Sequence, residues 1–316
     1  MKNLQLKSRT AADIETQVSK VLRGLGNSEP PVDLRQVREL LKLDRGYYST
    51  GDHGILRETV SRLTVAGLQV LKRPTLLADA VRKLSLKALY LPDQKRILLD
   101  NDLPPIKHRW NEAHEIGHDI IPWHAGMMLG DSEKELTPTC HAQMEAEANF
   151  AAGQLLFLNE RFACEARSSA PSLDLVRQLN GTFGNTITST LWRFVEQAHP
   201  ELPMIGLVSG HPHFSRRKSS FDPQNPCRYT IQSPAFATRF GHLTEVQLFQ
   251  RVTRYCGAQR GGTLGTDEVL LQDTAGEQHV FDFETFFNAY EALTLGIWRK
   301  PARAAVGYIQ SYRLPR

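Results

Sequence analysis

Two proline breaks frame the segment that most restricts how this chain can fold. Between Pro105 and Pro122, the residues Ile106, Trp110, Ala113, Gly117, Ile120 and Ile121 recur at steps of three and four, which predicts a helix with one apolar stripe. Pro122 ends it, because proline lacks the N–H and its ring clashes with the preceding turn. His114 and His118 fall beside the stripe, so both imidazoles are expected to face inward. Residues four apart on a helix differ by about 40° in direction and about 6 Å along the axis, so the two rings can converge on one ion. Glu115 projects to the side of that pair, where a carboxylate can take a proton from water and pass it to a leaving amine.

A five-residue pattern can arise by chance, and a catalytic zinc needs a third protein ligand with one position left open. Past a loop rich in Gly, Asp, Ser, Thr and Pro, the stretch AQMEAEANFAAGQLLF is built of strong helix formers and predicts a second, largely buried helix. Glu145 lies at its start and is the best candidate for the third ligand. Asn149 and Ala152 share its face, and the small residues Ala148, Ala151 and Ala152 allow a close helix approach. Glu147 points elsewhere and is expected to be a solvated charge.

The rest of the chain supplies context. Ile14, Val18, Val21, Leu22 and Leu25 predict an amphipathic helix near residues 10–24, and PPVDLRQVRELLKL predicts another with Asp33 as its N-cap. Residues 47–99 are mixed, with strand-like RLTVAGLQVL, KALYLP and KRILLD around a helical LLADAVRKL. LYLPDQKRILLDN reads as a hairpin turning at Pro92 to Gln94. LDLVRQLNGTFGNTITSTLWRFVEQ outlines two short helices about a turn at Gly181 to Asn185. Beyond Pro203, HPHFSRRKSSFDPQNPC reads as a polar link. After it come strand-like RYTIQ, helix-like TEVQLFQRVTRYC and the hairpin EVLLQDTAGEQHVFDF.

With 316 residues the chain can bury one large or two modest cores. The expected layout is α+β: a mainly helical domain with a small β-hairpin or sheet over 1–170, a helix-turn-helix-like segment over 171–200, and a C-terminal α+β domain over 201–316. A net charge of +4 permits an acidic partner without supplying the concentrated basic face of a nucleic-acid binder. Cys140, Cys164, Cys227 and Cys256 are widely spaced and contain no C-x-x-C pair, so reduced thiols are expected. An apolar leader is missing from MKNLQLKSRTAADIETQV and no run reaches the ~18 apolar residues of a membrane span, which makes a cytoplasmic location, away from membranes, the default expectation.

The run RILLDNDLPPIKHRWNEAHEIGHDII, preceded by PPVDLRQVRELLKL and followed by EAEANFAAGQLLF, resembles the ImmA/IrrE family of zinc metallopeptidases. The resemblance covers roughly residues 10–195 and rests on three separated motifs in matching order and spacing. It implies a zincin-like catalytic domain that binds Zn2+ through His114, His118 and Glu145, with Glu115 as the catalytic carboxylate. It also implies a protein substrate, typically a repressor-type transcription factor cut in response to stress or a mobile-element signal; some family members place a sensor-like α+β domain in the C-terminal position, outside the stretch that carries the resemblance. The chain departs from the family pattern where Trp110, Asn111 and Glu112 replace Phe-Thr-Leu, and where Leu158 stands in place of a proline.

Two other classes of function are compatible with these residues. One is a non-proteolytic zinc-containing regulator that binds DNA or protein, and the other is a toxin or defence protease acting on a host protein. DNA binding is not favoured, because the second helix of the 171–200 segment offers only Arg193 as a strong phosphate partner. His108, His124 and His141 could each hydrogen-bond an oxyanion but read as surface or outer-shell residues. Cys140 and His141 are adjacent and have no orienting third group, which argues against a cysteine nucleophile.

Overall fold

The computed structural model describes residues 6–26, 28–48, 88–91, 95–101, 105–124 and 138–302. The expected RLTVAGLQVL strand, the LLADAVRKL helix and the Pro92 to Gln94 turn lie outside the described residues. Two compact units result. One holds the described residues up to Ala170 together with Asp174–Arg193; the other holds Pro171–Leu173 and the described residues from Phe194 on.

The first unit is helical around a small sheet. Helix α1, Ser8–Gly24, buries Ile14, Val18 and Val21 on one face and packs against α4 (Pro138–Leu156). Helix α2, Leu34–Leu41, starts at Asp33, whose side chain accepts from the Arg35 N–H at 2.8 Å. Strands β1 (Asp44–Tyr48), β2 (Ala88–Leu91) and β3 (Arg96–Asp100) form a sheet in the order β1-β3-β2, with β1 parallel and β2 antiparallel to β3. The Ala88–Leu91 and Arg96–Asp100 strands pair as the sequence suggests, whereas β1 gave no strand signal because DRGYY is short and half polar. Ile97 to Asp100 are all buried, as a central strand covered on both faces requires.

Helix α3, Pro105–Ile120, contacts β2, β3 and α4. Glu112 replaces an apolar residue of the family pattern, yet it is only 4% exposed. Arg38 Nε at 2.5 Å and Arg45 Nη1 at 3.1 Å balance its charge, so the departure is matched by two cations on α2 and β1. The loss of proline at position 158 is also accommodated. Helix α4 stops at Leu156, and Leu158 and Asn159 take left-handed backbone angles (φ 54° and 53°).

Helix α5, Glu160–Arg167, is followed by α6, Leu173–Phe183, and α7, Ile187–Arg193. The turn between α6 and α7 includes Gly184, within the expected Gly181 to Asn185 span; its φ of +63° and the Pro31 Cβ, 2.9 Å from where a Cβ would sit, both favour glycine. Phe157, Phe162 and Phe183 cluster with ring centroids 4.8–5.9 Å apart. Arg193 is buried and donates to Gln154 Oε1 at 2.6 Å, so its guanidinium is committed to packing.

The second unit is a five-stranded antiparallel sheet in the order β5-β4-β8-β7-β6. Its strands are β4 (Met204–Ser209), β5 (Cys227–Gln232), β6 (Gly262–Gln272), β7 (Gln278–Phe287) and β8 (Ala292–Pro301). The stretch from His211 to Cys227, expected as a link, joins β4 to β5 within this sheet. Helices α8 (Pro234–Phe240) and α9 (Glu245–Tyr255) place Phe236, Phe240, Leu248 and Val252 in one core with Ile205, Phe281 and Phe283. Each such phenylalanine, fully buried, contributes roughly 1.5–3 kcal/mol of transfer free energy. Thr244 and Gln247 close a reciprocal capping box at the start of α9. Among the described residues, no helix is long and apolar enough to cross a membrane.

Candidate metal centre

The two helices meet where residue volume is smallest. A Cβ at Gly117 would lie 2.7 Å from the Ala148 carbonyl oxygen and 3.3 Å from the Ala151 Cβ, so α3 and α4 can be this close only because position 117 is glycine. Ala148, Ala151 and Ala152 are fully buried. The Gly117→Ala variant is therefore expected to push α4 off α3, with a stability loss of roughly 1–3 kcal/mol typical of overpacking. Because His114, His118 and Glu145, the ligands expected from the sequence, straddle this contact, zinc affinity should fall along with melting temperature, which titration and thermal melting of the same samples would show.

That approach brings together three donors chosen from the sequence. His114 Nε2 lies 3.2 Å from Glu145 Oε2, His118 Nε2 lies 3.5 Å from Glu145 Oε1, and the two Nε2 atoms are 3.3 Å apart. A zinc ion at about 2.0–2.1 Å from tetrahedral donors sets those donors roughly 3.3 Å from one another. The donor set therefore fits zinc in both chemistry and spacing. The side chains of His118, His114 and Glu145 are 6%, 15% and 40% exposed, so the cluster is shielded by α3 and open beside Glu145. Burial alone would raise the Glu145 carboxyl, but hydrogen bonds from His114 and His118 overcome it and hold the group well below the usual carboxylate range.

Glu115 is 6% exposed. Burial pushes its carboxyl above the ordinary range, against the lowering pull of His114, His118 and the Tyr90 N–H on strand β2. Its burial thus favours the protonated form, and it sits beside His114 and His118 and is tied to the sheet.

Glu147 corrects the sequence reading. It is buried at 3% exposure, not solvated, and it accepts from Trp123 Nε1 at 2.6 Å, Gln143 Nε2 at 2.8 Å and His124 Nε2 at 3.0 Å. Its position two residues from Glu145 does turn it to another side of α4, but that side meets the helical turn 122–124 instead of water. His124 is fully buried, and burial, only partly offset by Glu147, lowers its pKa to about 4. Its Nδ1 lies 3.0 Å from His118 Nδ1. Asn149 Oδ1 lies 3.1 Å from His114 Nδ1, so each of the two imidazoles has a partner on its far side. His108 instead bonds the Asp100 carbonyl at 3.0 Å, and the His141 side chain lies outside the described residues.

A second group, Asp273, Glu277 and His279, also brings potential ligand atoms within 4.8 Å of one another. Here His279 Nδ1 accepts from Trp298 Nε1 at 3.2 Å, while its Nε2 is 3.0 Å from Asp273 Oδ2 and 3.1 Å from Arg239 Nη2. With both ring nitrogens engaged and a guanidinium alongside, this network secures the β6–β7 turn, where Asp273 Oδ1 also accepts the N–H groups of Ala275 and Glu277 at 3.0 Å.

An H-E-x-x-H helix joined by a glutamate from the next helix is a donor pattern that could hold a metal ion, as metallopeptidase centres do. Residues 65–193 match the family model Peptidase_M78, described as the IrrE N-terminal-like domain. A solved structure described as a Mycobacterium tuberculosis transcriptional regulator aligns at 11% identity and a TM-score of 0.47, covering 98% of this chain and 94% of that one. No curated protein matches the chain.

Proposed function

We propose that the chain is a zinc-dependent endopeptidase that cuts a regulatory protein, with a repressor-type transcription factor as the substrate suggested by the family resemblance. The observation that carries this reading is the convergence of His114 Nε2, His118 Nε2 and Glu145 within 3.2–3.5 Å beside a buried Glu115. His114, His118 and Glu145 would hold the ion. When bound, zinc supplies a Lewis acid that polarises the scissile carbonyl and makes water a nucleophile near neutral pH. Glu115 accepts the proton of the attacking water and returns it to the leaving amine nitrogen, so the same carboxylate serves first as base and then as acid. Its burial favours the protonated form it must adopt between those two transfers. The α3–α4 contact holds the carboxylates and imidazoles in register throughout.

The test is a comparison of protein termini after zinc-loaded wild type or Glu115→Gln is incubated with proteins from the source cells. A small set of new termini, present only with wild type and mapping to a regulator, is the expected result. Identical termini in both samples would contradict proteolysis and favour a regulator that acts by binding alone.

A further inference from the structure

The hydrogen bonds behind His118 assign a proton to every ring nitrogen in the chain that leads to it. The Trp123 indole nitrogen and the Gln143 amide nitrogen can only donate, so both Glu147 oxygens act as acceptors: Oε2 from Trp123 at 2.6 Å and Oε1 from Gln143 at 2.8 Å. His124 therefore donates from Nε2 to Glu147 Oε2, 3.0 Å away. A neutral imidazole with its proton on Nε2 has an acceptor at Nδ1. His118 Nδ1, 3.0 Å from that acceptor, must be the donor. The lone pair of His118 is then left on Nε2, the atom that faces His114 Nε2 and Glu145.

We propose that Glu147 and His124 form a two-link positioning relay that fixes His118 in the tautomer able to bind a metal through Nε2. The inference rests on the reading of His118 as a metal ligand. Burial makes the relay difficult to replace: His124, Glu147 and His118 are 0%, 3% and 5% exposed, which leaves little room for water to substitute as the acceptor. The two ligand histidines are held unequally. His114 relies on a single amide oxygen, Asn149 Oδ1, whereas the His118 relay ends on a carboxyl group anchored by Trp123 and Gln143. The relay consequently acts on one ligand, and its loss should weaken the metal site without dismantling the helix pair.

Long-range proton–nitrogen NMR of the zinc-free full chain at neutral pH reads the tautomers directly. A proton on His118 Nδ1 and on His124 Nε2 is expected; a proton on His118 Nε2 would overturn the proposal. Zinc affinity against a competing chelator supplies the second readout. His124→Phe should bind zinc about 10- to 100-fold more weakly than wild type with an unchanged circular dichroism spectrum, and His124→Gln, whose carbonyl can accept from Nδ1, should recover most of that loss. A folded His124→Phe protein that binds zinc as tightly as wild type would overturn the relay. A wild type that takes up no zinc would overturn the metal reading itself, and the tautomers of the zinc-free protein would still decide whether the relay exists. If His124→Phe does not fold, the wild-type spectrum decides alone.

Discussion

Replacing Glu115 by glutamine is expected to leave zinc bound and to slow peptide hydrolysis by roughly 10²- to 10⁴-fold, equivalent to about 3–5 kcal/mol of barrier. Glutamine matches glutamate in shape and can still accept from the Tyr90 N–H that reaches Glu115, so the fold should tolerate it. It cannot take up the proton of the attacking water or deliver one to the leaving amine. The glutamine side chain also carries no charge to bury, so the substitution is expected to leave stability unimpaired, which a thermal melt checks. Zinc content and cleavage rate measured on the same preparation separate the two roles. Undiminished hydrolysis by Glu115→Gln would remove this carboxylate from the mechanism, and full biological activity without hydrolysis would favour a protein that works by binding.

Loss of a ligand should have a larger effect on metal binding than loss of any outer partner. His118→Ala deletes one of three donors and also leaves the buried His124 Nδ1 without the group 3.0 Å from it. Zinc affinity should fall by more than the roughly 10- to 100-fold that outer-shell changes produce. Glu145→Gln keeps an oxygen donor but removes the charge, and Glu145→Ala removes both, so affinity should decline in that order from wild type. The decline has a thermal signature. Zinc at one hundred times its dissociation constant stabilises the folded protein by about 2.7 kcal/mol, and the corresponding zinc-induced rise in melting temperature should vanish in His118→Ala. A variant that keeps the full rise would show that zinc is held elsewhere.

The sequence was most informative where local periodicity and chemistry coincide. The stripe from Ile106 to Ile121 placed His114 and His118 on the inward side of one helix, and the alanines of the next helix indicated the contact that brings Glu145 to them. Glu147 was misread because a helical repeat reports direction but not what lies in that direction. Its partners Trp123 and His124 come from a turn beyond Pro122, and their return onto α4 is a tertiary event. The same limit hid β1, which pairs in parallel with β3 across a long separation in sequence. In the second unit MIGLVS is buried at every position, and a continuous apolar run does not distinguish a central strand from a helix. The hairpin EVLLQDTAGEQHVFDF alternates and carries its own turn residues, so it was recognisable from the sequence alone.

X-ray absorption at the zinc edge tests most directly the claim that His114, His118 and Glu145 hold the ion. The predicted spectrum of the wild type shows a nitrogen and oxygen shell at about 2.0–2.1 Å with the outer scattering of two imidazoles, and no sulfur at about 2.3 Å. Glu145→Ala should change that first shell. A sulfur shell would point to cysteine thiolates, and either that result or a first shell unaffected by Glu145→Ala would contradict the assignment.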